Sequence, residues 1–209
     1  MSTPKGLLFS LIALSVFCIA SVTTAKADTV TFALGNNPQP NEENVLLNNG
    51  AIGNPVFGVT NMGGITVTFS SATDILQEPS SGQARVEAID GQVNNVTILI
   101  PGGSFEDIIL NPLTGSGAAT ITATTVSNQV FTFTYMLGNG NNFLTIFDTG
   151  GALSSVTITA QGGFTDLRQP RISGAQLTTQ PVPEPATLVL FGSALLGVGS
   201  LFRKRREVK

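Results

Sequence analysis

Apolar and polar residues alternate with a period of two along most of the middle of the chain. Ile65, Val67 and Phe69, for example, fall on one face of a predicted strand, with threonine at the positions between them. Because successive side chains of a strand point to opposite faces, this alternation predicts half-buried strands rather than helices. The predicted strands are 29–34, 65–69, 95–100, 117–126, 130–137, 142–147 and 156–160, with weaker candidates at 85–89, 105–110 and 171–177.

Turn signals separate these runs, among them Asn61–Gly64, Asp90–Gly91 and Gly138–Asn141. Many short strands between such turns predict an all-β ectodomain, an antiparallel β-sandwich of the jelly-roll kind. A β-helix is the main alternative, and the lack of a fixed repeat counts against it. Residues 35–54, rich in Asn, Pro and Gly, are predicted to be a long loop, and residues 178–185 a linker that ends in a proline-rich motif.

The first 27 residues are predicted to be a signal peptide. Lys5 precedes an uncharged apolar run at 7–20, and Ala25-x-Ala27 offers the small side chains that signal peptidase accepts. We expect cleavage after Ala27 and export by the Sec machinery. The alternative is an uncleaved anchor, for which the apolar run is short.

A second apolar segment follows the motif Val182-Pro183-Glu184-Pro185. Residues 186–202 carry no charge and would form a helix about 26 Å long, just enough for a single transmembrane span. The prolines favour an extended approach to that helix. A basic tail, 203–209, follows, and such tails stay in the cytoplasm. Residues 28–177 are therefore predicted to lie outside. The basic residues beside the apolar run are Arg203, Lys204, Arg205 and Arg206.

A Pro-Glu-Pro segment, an apolar helix and an Arg-rich run, in this order, resemble the PEP-CTERM sorting signal. The resemblance implies that the protease exosortase recognises Pro183, Glu184 and Pro185 and cleaves near them, while 203–206 stop transfer. It also implies a role at the cell surface or in the extracellular matrix, with exopolysaccharide and biofilm. Such segments are also labelled as an ice-binding protein C-terminal domain, which is no evidence for ice binding. The alternative is a plain single-pass anchor that is never processed.

Charge and composition exclude several functions. Residues 28–181 hold eleven acidic residues and three arginines, a formal charge of −8, which disfavours nucleic acid as a partner. The chain has no histidine, its one cysteine is Cys18, and no lysine lies between Lys26 and Lys204. The usual general base, thiolate and Schiff-base amine are thus missing from the predicted ectodomain. We expect a non-catalytic structural or interaction protein without a cofactor.

The alternative function is a carbohydrate- or calcium-dependent adhesive module. Sugar platforms use aromatic faces, and the chain has no Trp and one Tyr, Tyr135, which shares a strand face with Phe131 and Phe133 and is predicted to be core. Calcium prefers oxygen ligands, which 90–95 could supply, although a solvated turn is the favoured interpretation. Glu106 and Asp107 are adjacent and should point to opposite faces. Asp166, Arg168 and Arg171 are predicted to form a local salt bridge.

Overall fold

The computed structural model describes residues 27–178, in which every regular element is a β-strand. Within this part of the chain, no helix is long and apolar enough to span a membrane. The predicted signal peptide up to residue 26, the apolar run 186–202 and the basic tail lie outside the described residues. The chain divides into two compact units, Met1–Gln176 and Leu177–Lys209. All strands described below belong to the first unit, except that the last strand ends at Leu177.

Seventeen strands make up the described fold. They are β1 (Val30–Leu34), β2 (Glu43–Leu46), β3 (Ile52–Gly53), β4 (Val56–Thr60), β5 (Thr66–Ser70), β6 (Leu76–Gln77), β7 (Arg85–Ala88), β8 (Val93–Leu99), β9 (Gly103–Ser104), β10 (Asp107–Leu110), β11 (Pro112–Gly115), β12 (Ala118–Thr125), β13 (Val130–Met136), β14 (Leu144–Asp148), β15 (Leu153–Arg168), β16 (Arg171–Ser173) and β17 (Gln176–Leu177).

Fifteen of the strands form one branched sheet with antiparallel pairing. One part has the order β1-β14-β10-β16, and the other holds β4-β5-β8-β15 with β12 and β13 beside β15. β2 pairs with both β16 and β4 and so connects the two parts. Buried residues from both parts belong to a single apolar cluster, so the sheet curls around one core. The predicted all-β, antiparallel fold class is confirmed.

Alternation along the central strands divides core from surface. In β12, Ala119, Ile121 and Ala123 are fully buried, while the threonines between them are half exposed. The pairing register aligns these threonines with hydroxyl side chains of the neighbouring strands, and Thr97 and Thr157 bond through their hydroxyls at 2.8 Å. The outer face of β13, β12, the first half of β15 and β8 is therefore uncharged and rich in hydroxyl groups.

The longest strand, β15, extends well beyond the predicted 156–160. Its first half pairs with β12 and β8 and its second half with β11 and β7, with a register shift between Thr159 and Phe164. Gly163 has a φ of 64°, which favours glycine. A Cβ on Gly162 would lie 2.4 Å from the carbonyl oxygen of Ser116. The two glycines thus allow one strand to serve two sets of neighbours.

The predicted long loop at 35–54 is wrong in part, because it contains β2 and β3. The four residues of β2 lie within a segment whose composition is dominated by Asn, Pro and Gly. Val45 is nevertheless fully buried in the core, and β2 has partners on both sides. Tertiary pairing therefore outweighs local composition here. The strands β4, β6, β9 and β11 also have no counterpart among the predicted strands.

Candidate functional site

A cleft of about 240 Å³ lies between residues 39–41 and the strands β10, β14 and β16. Asp107 and Ser173 contribute polar side chains to its lining, and Phe147 contributes an apolar one; Asp148 lies at its margin. Asp107 faces Phe147 and Ser173 in the strand register, so these three side chains share one face of the sheet. The segment before β2, which was expected to be a surface loop, is what encloses this face.

Asp107 is the most perturbed carboxyl group of the cleft. Its side chain is 1% exposed, the Ser173 hydroxyl donates a hydrogen bond to Oδ1, and Oδ2 has no hydrogen-bond partner. Burial, followed by the negative charge of Glu42, raises the pKa of Asp107 to about 7. The positive charge of Arg171 opposes this shift, but Arg171 also pairs with Glu42 at 3.3 Å. Asp107 is thus a buried acid that exchanges its proton near neutral pH.

Asp148 supplies a second buried oxygen without a donor. Its Oδ1 accepts hydrogen bonds from the backbone N–H groups of Thr29 at 3.0 Å and Gly150 at 2.8 Å. Its Oδ2 is buried and has no partner. Buried carboxylate oxygens are normally paired, so each of these two atoms is an unused acceptor. Asp148 follows Phe147 in β14 and pairs with Val30, so its side chain lies on the sheet face opposite Asp107, and the two oxygens do not form one site. Among residues 27–178, no three acidic, Cys or His side chains converge as a metal cage.

A sequence signal for this cleft is hard to identify. As predicted, Glu106 and Asp107 differ in exposure, Glu106 lying in solvent and Asp107 in the interior. The approach of Glu42 depends on the fold of a segment that was predicted to be irregular. The run IIL after Asp107 is fully buried, and it is the one local sign that the strand has two covered faces.

The residues considered for calcium are divided between two structures. Asp90 lies in an exposed turn, where its Oδ1 accepts the Gln92 N–H at 3.1 Å. Asn94 and Asn95 instead donate backbone N–H bonds to Asp74 at 2.9 and 3.2 Å. Burial alone would raise the pKa of Asp74, but these hydrogen bonds outweigh it and lower the pKa. The structure therefore separates Asp90 from the two asparagines, and Asp74 holds them in place.

The prediction that the β13 aromatic residues belong to the core is confirmed in part, because Phe133 and Tyr135 pack against the core while all three aromatic residues of the strand remain partly exposed. Phe133 stacks on Phe32 at a centroid distance of 5.4 Å and on Tyr135 at 6.1 Å, and both β13 rings pack against the core. Burial raises the pKa of Tyr135. The predicted salt bridge forms between Arg168 and Asp166 at 2.8 Å, while Arg171 pairs with Glu42 rather than with this pair.

A larger, open cleft of about 420 Å³ lies at the register shift of β15. Its lining is uncharged and includes Gln92, Ser116, Asn139 and Thr165, together with Gly162 and Gly163. The Gln92 side chain donates a hydrogen bond to the Gly162 carbonyl across this cleft. Some of its polar groups therefore bond to each other. The 240 Å³ cleft around Asp107, called the Asp107 cleft below, differs in having a buried carboxylate oxygen without a hydrogen-bond partner.

The residues predicted to direct sorting lie mostly outside the described part of the chain. Ala27 is described and is exposed. Ala25, the motif residues 182–185 and the basic residues 203–206 fall outside residues 27–178.

Comparison with known proteins gives one family match and a set of distant structural relatives. No curated protein sequence matches the chain. Three solved mutants of CBM29-2, studied for ligand recognition by family 29 carbohydrate-binding modules, are 12–13% identical, with TM-scores of 0.28–0.29. Each covers 70% of this chain and 91% of its own. At this TM-score the likeness carries no conclusion about function.

The family match lies in the C-terminal segment that the sequence singled out. A family model described as the PEP-CTERM protein-sorting motif matches residues 181–206. This range includes the Pro-Glu-Pro motif, the apolar run and the four basic residues. The chain therefore carries a PEP-CTERM protein-sorting motif, which confirms the resemblance drawn from those residues.

Proposed function

We propose that this chain is an exported substrate of exosortase, which delivers its β-strand domain to the cell surface or extracellular matrix. The observation that carries this proposal is the sorting-motif match at 181–206. In the proposed sequence of events, signal peptidase cleaves after Ala27, and residues 186–202 hold the chain in the membrane. Exosortase then cleaves near Pro183–Pro185.

The properties of the ectodomain support a structural or interaction role rather than catalysis. Residues 28–181 have a formal charge of −8 and lack His, Cys and Lys. We propose a jelly-roll-like sandwich for this part, associated with exopolysaccharide or biofilm. A surface with this net negative charge favours solubility and repels other polyanions electrostatically.

Intact mass of the endogenous protein tests the sorting proposal, measured by compartment in cells with and without exosortase. We expect a released form that begins at Asp28 and ends near Pro183–Pro185, and accumulation of the membrane-bound form when exosortase is absent. Glu184→Gln should also accumulate in the membrane, whereas Glu207→Gln, a carboxylate on the far side of the apolar run, should not. Retention of 203–209 in both strains would mean a simple membrane anchor.

A second candidate is an adhesive module that binds a cation at the Asp107 cleft. The buried, unpartnered Oδ2 of Asp107 favours it, because carboxylate oxygens are preferred calcium ligands. Calcium should then raise the midpoint of thermal unfolding for the wild type and for Asp90→Asn, but not for Asp107→Asn. Retention on an exopolysaccharide column that survives a chelator would contradict a calcium-dependent role.

A further inference from the structure

β13 is an edge strand whose outer side has no partner in residues 27–178, because its only described pairing is with β12. The backbone bonds from Thr125 to Gln129 and from Leu137 to Gly117, both 2.9 Å, flank this pairing. They show that odd-numbered residues of β13 exchange bonds with β12. The N–H and C=O groups of the even-numbered residues from Val130 to Met136 therefore point away from the sheet.

This edge lacks the features that usually prevent strand-to-strand association. The sequence VFTFTYM has no charge, no proline and no glycine, and its register with β12 contains no bulge. Val130 is 61% and Met136 is 69% exposed. The neighbouring outer face contributes threonines rather than charged groups. In a domain with a charge of −8, β13 itself therefore presents no acidic side chain to a second copy, and Asp28, which accepts the Ser127 hydroxyl, lies in front of its first residue.

The strand is also complementary to itself. If two copies of β13 run antiparallel with Phe133 at the centre, Thr132 lies opposite Thr134, and Val130 lies opposite Met136. Phe131 then lies opposite Tyr135 on the inner face. Each even-numbered pair would exchange two backbone hydrogen bonds, because those are the groups that point outward. Each cross-strand pair therefore joins two residues of the same chemical type: aromatic with aromatic, threonine with threonine, and apolar with apolar. Such pairs stabilise a sheet.

We propose that β13 is a self-association edge, through which a second copy of this chain extends the sheet in an antiparallel register centred on Phe133. The contact is isologous, because the same strand is used by both copies. The contact consists mainly of the pairing of one β13 strand with another, so the buried surface is small. Interfaces with a small buried surface belong to the weaker class. The proposal does not depend on cleavage of the sorting signal.

The test is sedimentation velocity on protein purified after expression of the full chain, over a roughly hundredfold range of concentration. Wild type should shift from monomer to dimer as concentration rises. Thr132→Lys should raise the apparent dissociation constant by about tenfold or more, since the introduced lysine enters the pairing edge near the same lysine of the other copy. Thr66→Lys is the matched control, because Thr66 is exposed on β5, which has a partner on each side.

A charge-pair experiment tests the register itself. In the proposed pairing, residue 132 of one copy lies opposite residue 134 of the other. A mixture of Thr132→Lys and Thr134→Glu should therefore form a heterodimer more readily than either variant forms a homodimer. Near-ultraviolet circular dichroism and thermal unfolding like those of wild type would show that loss of the dimer is not loss of the fold. Wild type that stays monomeric, variants that dimerise as wild type does, or a mixture without preference would each overturn the proposal.

Discussion

Replacement of Asp107 by asparagine should change how the stability of the protein depends on pH. The pKa of Asp107 is raised to about 7 in the folded chain, from 3.8 when unperturbed. Between these two values, the folded state holds a proton that the unfolded state has lost. Stability must therefore fall as pH rises from about 4 to about 7, and stay level above that range. An asparagine side chain cannot titrate, so the Asp107→Asn variant should lose this fall.

The size of the effect follows from the width of the pKa shift. A shift of about three units, at about 1.36 kcal/mol per unit, corresponds to about 4 kcal/mol. At pH 8, the variant should thus be more stable than wild type by up to about 4 kcal/mol, and near pH 4.5 the two should be similar. The side chain is 1% exposed, so little of this is screened by solvent. Asparagine can still accept the Ser173 hydroxyl, which bonds Oδ1 in the wild type.

Urea unfolding at half-unit steps from about pH 4.5 to pH 8 would measure the slope directly. The pKa values of Asp74 and Glu43 are lowered by hydrogen bonds despite the opposing effect of burial. Their contributions are therefore lost as pH falls below the unperturbed values of 3.8 and 4.5, so only Glu43 affects the slope, at the lowest pH of this window and with the opposite sign. Asp90→Asn, in an exposed turn, is the matched control and should keep the wild-type slope. A wild type whose stability rises across this window, or an Asp107→Asn variant with the same slope, would refute the argument.

Three further substitutions, one of them with a matched control, test the described packing, each by urea unfolding. Asp74→Ala should cost about 2–4 kcal/mol, because it leaves the N–H groups of Asn94 and Asn95 without their acceptor; a loss below about 0.5 kcal/mol would contradict that role. Gly58→Ala should cost about 1–3 kcal/mol, since a Cβ there would lie 2.5 Å from Val45 Cγ1. Gly53→Ala, with its nearest atom at 3.4 Å, should cost clearly less. Ile121→Ala should cost about 2–5 kcal/mol, and a near-neutral result would mean that β12 does not face the core.

The fold class could be predicted because the long strands β12 and β13 alternate strictly along their length. The predicted strand at 130–137 corresponds to β13 and the one at 117–126 to β12, each within a residue or two of its observed ends. Strands of two residues could not be found in this way, since two residues contain no period, and the four-residue strands β7 and β10 appear only among the weaker candidates, at 85–89 and 105–110. β2 and β6 owe their strand geometry to neighbours that are distant in the sequence, and only the fold brings those neighbours together.

The two candidate sites differ in how far the sequence could predict them. The sorting motif is a contiguous segment, so order and spacing alone identify it. The Asp107 cleft brings together Glu42, Asp107, Phe147 and Ser173 from four separate parts of the chain. Its distinguishing property is burial, and burial of both faces of β10 depends on how the segment before β2 crosses the sheet. No spacing rule links these residues, and composition suggested that the covering segment would be a free loop.

Charge connects the sorting signal, the cleft and the edge strand. An exported domain that carries −8 and no lysine repels other anions, including acidic polysaccharides and further copies of itself. Contacts with such a domain must therefore use uncharged surface or a cation that neutralises carboxylates. The proposed self-association edge of β13 would use the first route, and the proposed cation site at Asp107 would use the second. The two routes differ in their response to salt, because added salt screens charge repulsion between copies but competes with cation binding. Dimerisation that strengthens with sodium chloride, and calcium stabilisation that weakens with it, would separate the two routes in the same protein.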